Sequence, residues 1–175
     1  MQNAKILWIV ALVCLLVGAN LLLTYFNQPQ PQGEPWQVTQ VLGGDRVKIQ
    51  QNNTSQTLKL IGVNAPTQDQ VPFGPQARAR LEQLIGKQTV LVEADLETKD
   101  RADNLLGYVW KDRQLINQQL IAEGYALADV APPNVKYKNL LENAQSRARL
   151  LEFGIWDPAN PLRQSPATAR QRRTQ

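Results

Sequence analysis

The strongest constraint in this sequence is an uncharged run of 21 residues, 6–26, in which nearly every side chain is apolar. A helix needs about 20 apolar residues to cross a bilayer, and a helix buried in a soluble core is rarely apolar on every side. We therefore predict a transmembrane helix over residues 6–26. A cleaved signal peptide is the alternative, with a cleavage site at residues 17–19. The apolar run continues past that site, which favours an uncleaved anchor.

The charges that flank this run predict its orientation. Lys5 precedes the run, and no cation follows it until Arg46. Because flanking cations tend to stay in the cytoplasm, we expect residues 1–5 to be cytoplasmic and the rest of the chain to lie on the other side of the membrane. Both an uncleaved anchor and a cleaved signal peptide would export the domain. Residues 27–35 are rich in proline and glutamine, which is typical of an extended linker.

The chain has no histidine, and its only cysteine, Cys14, lies inside the apolar run. Imidazole catalysis, zinc centres, cysteine metal clusters and an internal disulfide are therefore excluded. Any catalysis must come from carboxylates, arginines, lysines or a bound hard cation.

The positive net charge belongs to the ends of the chain. Of 19 cations, 14 lie between Glu34 and Asp157, where they are matched by all 15 acids. The folded span is thus slightly acidic, which does not indicate a nucleic-acid-binding surface. We predict that residues 159–175 form a basic, disordered tail. The tail cations are the candidates for binding nucleic acid or another polyanion: Arg163, Arg170, Arg172 and Arg173.

Alternating apolar residues and turn signals predict five strands, over residues 36–42, 45–51, 57–63, 89–95 and 105–110. Apolar residues at helical spacing predict helices over 75–85, 116–123 and 137–151. The fold class is therefore α+β, mainly β. A small closed five-stranded barrel capped by about three helices, as in an OB-fold, accommodates this order of elements.

Short stretches in a fixed order carry a family resemblance over residues 36–158. They are Gly44-Asp45-Arg46-Val47, Val63-Asn64-Ala65-Pro66, Phe73-Gly74-Pro75-Gln76-Ala77, Leu105-Leu106-Gly107-Tyr108-Val109-Trp110 and Gly154-Ile155-Trp156. Their order and spacing resemble the staphylococcal nuclease (thermonuclease) family. The resemblance implies a five-stranded OB barrel with three helices, and calcium-dependent cleavage of phosphodiester bonds in DNA and RNA.

The resemblance places the calcium ligands of that family at Asp45, Asn64 and Ala65. The family uses two aspartates and the carbonyl of a threonine, so Asn64 removes one ligand charge and Ala65 keeps only the carbonyl. Calcium takes about 6–8 oxygen ligands and is retained largely by their charge. We therefore expect weak calcium binding or none.

The same resemblance places the catalytic glutamate of the family at Thr67 and its two arginines at Lys59 and Asn104. A threonine hydroxyl is no base near neutral pH, a lysine lacks the guanidinium fork, and an asparagine carries no charge. We expect impaired catalysis, although Asp69 in the following loop could substitute as the base. Glu93, Asp95 and Glu97 alternate on one strand, and we favour structural hydrogen bonds there over a metal cluster.

These observations predict a membrane-anchored nuclease-like domain that serves as a binding or scaffold module. It would have no cofactor, would lie on the extracytoplasmic side, and would have a possible protein partner in a membrane complex. The alternative is an active calcium-dependent endonuclease of the thermonuclease type. Both interpretations leave open whether the protein binds nucleic acid.

Overall fold

A computed structural model of the chain describes residues 29–172 together with Cys14, Leu15 and Val17. The chain divides into two units, residues 1–30 and 31–175. The predicted cytoplasmic residues 1–5 and most of the predicted span 6–26 lie outside the described residues. Within the described part of the chain, no helix is long and apolar enough to span a bilayer.

The described residues form eight strands and four α-helices. The strands are β1 (Glu34–Val41), β2 (Arg46–Gln51), β3 (Thr54–Leu60), β4 (Gly62–Asn64), β5 (Thr89–Glu93), β6 (Leu105–Lys111), β7 (Gln114–Leu115) and β8 (Leu127–Asp129). The helices are α1 (Phe73–Ile85), α2 (Ile116–Ala122), α3 (Lys138–Leu150) and α4 (Pro166–Arg172), with a 3₁₀ turn at Gly154–Trp156.

Five of the strands close into the predicted barrel. They follow the order β3-β2-β1-β5-β6, in which all neighbours are antiparallel, and a parallel pairing of β3 with β6 completes the ring. β7 extends β6 as a short hairpin, and β4 pairs with β8 in a separate two-stranded sheet. The barrel prediction is confirmed, and the described residues add a fourth helix to the three predicted.

The barrel core is filled by apolar side chains that alternate along the strands and recur at helical spacing in α1. Val47 and Ile49 of β2, two residues apart, are fully buried. Ala77, Leu81 and Ile85 recur every fourth residue of α1 and are also fully buried. These are the periods of a strand and a helix that each present one face to a common core.

Two strand boundaries differ from the sequence prediction. β1 begins at Glu34, which pairs with Val92, so the end of the predicted linker belongs to the barrel. The predicted third strand is two strands, because the chain turns at Ile61 and Gly62 begins the next strand with a φ of +71°, outside the range of regular strand interiors. This break ends β3 at Leu60 and directs β4 to its own partner.

The region predicted as a disordered tail contains an ordered segment. Leu162 N donates to the Ile155 carbonyl (3.1 Å), and α4 begins at the buried Pro166. Ser165 caps the helix, its hydroxyl accepting from Thr168 N at 3.2 Å. Proline at the first helical position and a serine cap stabilise a helix start without any apolar periodicity, which is why the apolar pattern does not show this helix.

Candidate functional site

The turn between β1 and β2 positions Asp45, a carboxylate only 4% exposed. Gly44 lets this turn approach its neighbours, since a Cβ there would lie 2.6 Å from the Ala77 Cβ and 2.7 Å from the Ala65 Cβ. Leu60 N donates to the Asp45 carbonyl (3.0 Å), which ties the turn to the end of β3. Asp45 is therefore fixed beside the segment that follows β4.

β4 ends at Asn64, which is 7% exposed, and the chain continues through Ala65, which is 1% exposed. Pairing of Asn64 with Leu127 of β8 holds this end in place. The Asn64 side chain donates from Nδ2 to Asp129 Oδ2 at 3.0 Å, so its Oδ1 faces the other way. The sequence-predicted residues Asp45, Asn64 and Ala65 thus meet at one place.

A guanidinium lies where these three residues meet. Arg170 of α4 donates from Nη2 to Asp45 Oδ2 (2.8 Å) and to the Ala65 carbonyl (2.9 Å). Its Nη1 donates to Asn64 Oδ1. Arg170 was predicted as a tail cation for polyanions, and in the structure its partly buried side chain makes these three contacts.

This arrangement does not fit calcium. The three oxygens that the resemblance assigns to the ion all accept hydrogen bonds from Arg170, and the other Asp45 oxygen lies 3.5 Å from Arg46 Nε. A divalent cation at this place would meet two positive charges and a single carboxylate. Among the described residues, no three carboxylate, histidine or cysteine side chains converge as a metal-binding group.

An open cleft of about 380 Å³ adjoins the Arg170 contacts. Its lining includes Asp45, Arg46, Thr67, Asn104 and Arg170. Lys59, expected to supply a catalytic cation, lines a different and smaller cleft beside Glu97 and Asp129. The structure therefore brings together two of the three predicted catalytic positions.

Thr67, at the position that the resemblance assigns to the general base, forms hydrogen bonds within its own loop. Its hydroxyl donates to Asp69 Oδ1 (2.5 Å), and its backbone N–H donates to Gln70 Oε1 (2.9 Å). The loop packs against the start of α1, since a Cβ on Gly74 would lie 1.9 Å from the Thr67 carbonyl oxygen. Asp69, the possible substitute base, accepts a hydrogen bond from Thr67, which stands at the position of the family's glutamate.

Asn104, at the position of an arginine, is also engaged locally. Its Nδ2 donates to both oxygens of Asp100 (3.1 and 2.9 Å). Burial raises the pKa of the Asp100 carboxyl, but the hydrogen bonds from Asn104 and Ala102 outweigh it, and the net pKa lies below the ordinary value. The amide thus stabilises a turn and supplies no cation to the cleft.

The alternating acids of β5 and the following residues form structural contacts, as favoured from the sequence. Glu93 is buried and accepts from Trp110 Nε1 (2.7 Å) and the Tyr137 hydroxyl (3.0 Å), and it pairs with Lys136. Asp95 accepts from the Tyr108 hydroxyl at 3.3 Å. Burial, followed by the hydrogen bond to Glu93, raises the pKa of Tyr137, so this phenol stays protonated.

Two further tail arginines line a different cleft. Arg163 and Arg172 line a second cleft of about 510 Å³, with Asp69, Gln70 and Phe73 on its other wall. Arg173 lies outside the described residues. Polyanion binding by these arginines stays a prediction.

Comparison with known proteins gives a consistent family. The family model described as "Staphylococcal nuclease homologue" matches residues 57–158. The thermonuclease of Staphylococcus intermedius is 33% identical over 153 residues, covering 78% of this chain and 89% of its own length. The thermonuclease of Staphylococcus hyicus is 33% identical over 131 residues, covering 70% and 76%. A prophage-derived endonuclease of Bacillus subtilis is 27% identical over 120 residues, covering 65% and 40%.

Proposed function

The chain belongs to the staphylococcal nuclease family, and from this membership we propose that it is a membrane-anchored, catalytically impaired member that binds a partner. Residues 6–26 form the anchor, residues 1–5 are cytoplasmic, residues 27–33 are the linker, and the domain that begins with β1 at Glu34 lies on the extracytoplasmic side. A protein of a membrane complex is the partner class that fits a tethered domain without catalysis.

The engagement of Thr67 in its own loop carries this proposal. Phosphodiester hydrolysis without histidine needs a carboxylate to take the proton of the attacking water. Thr67 occupies that position, and its hydroxyl is a donor to Asp69. Loss of a general base slows a reaction by about 10²- to 10⁴-fold.

The two positions that the family fills with arginine also lack the side chain that catalysis needs. Transition-state charge on the phosphate is normally stabilised by fixed cations, and removing one such donor costs about 10²- to 10³-fold. Asn104 is neutral and bonded to Asp100, and Lys59, which pairs with Arg46 across β2 and β3, lacks the guanidinium fork. These losses do not multiply simply, but each one acts on the same transition state.

An active calcium-dependent nuclease is the second candidate, and two observations favour it. The relatives are named thermonucleases and an endonuclease, and Asp69 supplies a carboxylate next to Thr67. Under this alternative, Asp69 is the base and calcium is the cofactor.

A plasmid-nicking assay on the full chain in mild detergent separates the two candidates. We expect no nicking above the protein-free blank, with or without calcium, and the same result for Asp69→Asn. The Staphylococcus intermedius thermonuclease in the same detergent is the positive control. Calcium-dependent nicking that disappears in Asp69→Asn would establish the nuclease and overturn our proposal.

A further inference from the structure

We propose that Arg170 is the resident cation of the family's metal site in this chain, so that a guanidinium on the chain itself takes the place of a divalent ion. This inference rests on the family membership and on the contacts of Arg170. It does not depend on whether the domain cleaves nucleic acid.

The contacts match the guanidinium group in number and direction. One planar fork reaches three acceptors on two separate segments: a carboxylate oxygen of Asp45, and an amide oxygen and a backbone carbonyl of the adjacent residues Asn64 and Ala65. Arginine is suited to such planar, multiple acceptors, whereas a lysine ammonium is a point charge. All three oxygens assigned to the metal are thus taken by one side chain.

The Asp45 carboxylate supplies the charge that the Arg170 guanidinium pairs with. The Asp45 side chain is 6% exposed, and a carboxylate so deeply buried is strongly destabilising unless it is paired and hydrogen-bonded. Arg170 pairs with one of its oxygens and Arg46 lies beside the other. With a neutral Asn64 in place of a second carboxylate, the site has too little negative charge for a divalent ion.

Asn64 has a second role that an aspartate could not fill. Its amide presents oxygen to Arg170 and nitrogen to Asp129. An aspartate here would face the Asp129 carboxylate with a like charge. The asparagine therefore links a guanidinium on one side to a carboxylate on the other.

The segment that carries Arg170 is seated on the domain at several other points. Pro166 and Ala169 of α4 are buried, and Gln70 Nε2 donates to the Gln164 carbonyl at 2.8 Å. Arg170 is therefore the inward side chain of a docked helix. The family model ends at residue 158, so this helix lies beyond the matched part of the chain.

Thermal unfolding of the full chain in mild detergent tests the proposal, with three variants. We expect Arg170→Ala to lower the melting temperature by roughly 5–15 °C, because it leaves a buried carboxylate without its partner. The matched control Arg172→Ala removes the same charge from the same helix and should change it by less than about 2 °C. Arg170→Lys should fall between the two.

Ligand additions give a second readout. Calcium should neither raise the melting temperature of the wild-type chain nor give a calorimetric signal. Guanidinium chloride at millimolar concentration should restore part of the loss in Arg170→Ala, while sodium chloride at the same ionic strength should not. Should Arg170→Ala fail to fold, side-chain ¹⁵N NMR of the wild-type chain decides, because a bonded Arg170 guanidinium rotates slowly.

Equal melting temperatures for Arg170→Ala and Arg172→Ala would overturn the proposal, as would micromolar calcium binding by the wild-type chain or fast rotation of the Arg170 guanidinium. Calcium-free plasmid nicking would refute the proposed loss of catalysis and leave the role of Arg170 intact. Calcium binding without nicking would refute the role of Arg170 and leave the proposed loss of catalysis intact.

Discussion

Asn64 determines which cation the site can hold. Its neutral amide contacts Arg170 and Asp129 at once. We expect Asn64→Asp to lower the free energy of unfolding by about 1–3 kcal/mol, because it removes a buried donor and sets two carboxylates side by side. Urea denaturation at neutral pH measures this. Asp129→Asn on the same background should recover most of the loss, and a neutral or stabilising Asn64→Asp would show that the amide donor has no role.

Glu93 is the buried acid whose removal should be most costly outside the site. It accepts from Trp110 and Tyr137 and pairs with Lys136. We expect Glu93→Ala to cost about 3–5 kcal/mol of unfolding free energy, since Lys136 and two donors lose their partner. Trp110 fluorescence should follow the transition. Glu97→Ala, at an exposed position of the same segment, is the control and should stay within about 0.5 kcal/mol.

Sequence reasoning reached Asp45, Asn64 and Ala65 because the family resemblance assigns its metal ligands to these positions, which lie in short stretches that match the family. It could not reach the contact of Arg170 with Asp45, because the two residues are separated by 125 positions. No local pattern encodes that contact. The sequence of a polar tail looks the same whether its arginine side chains are solvated or docked on the domain.

A bidentate ion pair joins helices α1 and α2. Arg80 Nε and Nη2 donate to the two oxygens of Glu123 at 2.6 and 2.7 Å. Burial raises the pKa of Glu123, but the hydrogen bonds from Arg80 and Gln119 outweigh it, and the net pKa is lowered. Both helices pack on the barrel, so the pair fixes their spacing.

This lowered pKa predicts a pH dependence of stability. A carboxyl whose folded pKa is depressed stabilises the fold above its unfolded pKa of about 4.3, and that contribution is lost as the pH falls through the folded value. Urea denaturation from pH 7 down to pH 3 should therefore show a shallower acid decline for Glu123→Gln than for the wild-type chain. Glu142→Gln, exposed on α3, should follow the wild-type curve, and identical curves for all three would refute the role of the pair.

Most strands and three helices could be predicted because their periods are strong. β2, β6 and α1 agree with the sequence prediction to within about two residues. The break at Gly62 could not be predicted, since its left-handed backbone fits against Leu141 of α3, and a Cβ there would lie 2.6 Å from the Leu141 Cδ1. Short strands such as β7 and β8 depend on their partners and leave no period of their own.

The predicted anchor and its predicted orientation can be tested on the entire chain. Lys5 precedes the apolar run and no cation follows it before Arg46, so the domain should be exported. The chain should sediment with membranes, and protease added outside intact cells should digest the domain. Protection of the domain in intact cells, with digestion only after lysis, would reverse the topology.

The distribution of charge predicts where a polyanion would bind. The folded span is slightly acidic, and Arg170 is bonded inside the domain. Replacing Arg163, Arg172 and Arg173 by alanine should abolish most binding to single-stranded DNA. The wild-type salt dependence should reflect about three phosphate contacts, a log–log slope near −2. Unchanged affinity of the triple variant would place the binding surface on the barrel.

The docking of Arg170 also changes how the site responds to its surroundings. An ion drawn from solution occupies its ligands in proportion to its concentration, and a chelator removes it. A side chain joined to the domain by about a dozen residues has an effective concentration in the millimolar range that no dilution alters. An exported domain of this design would keep the same occupancy in mineral-poor water and in EDTA.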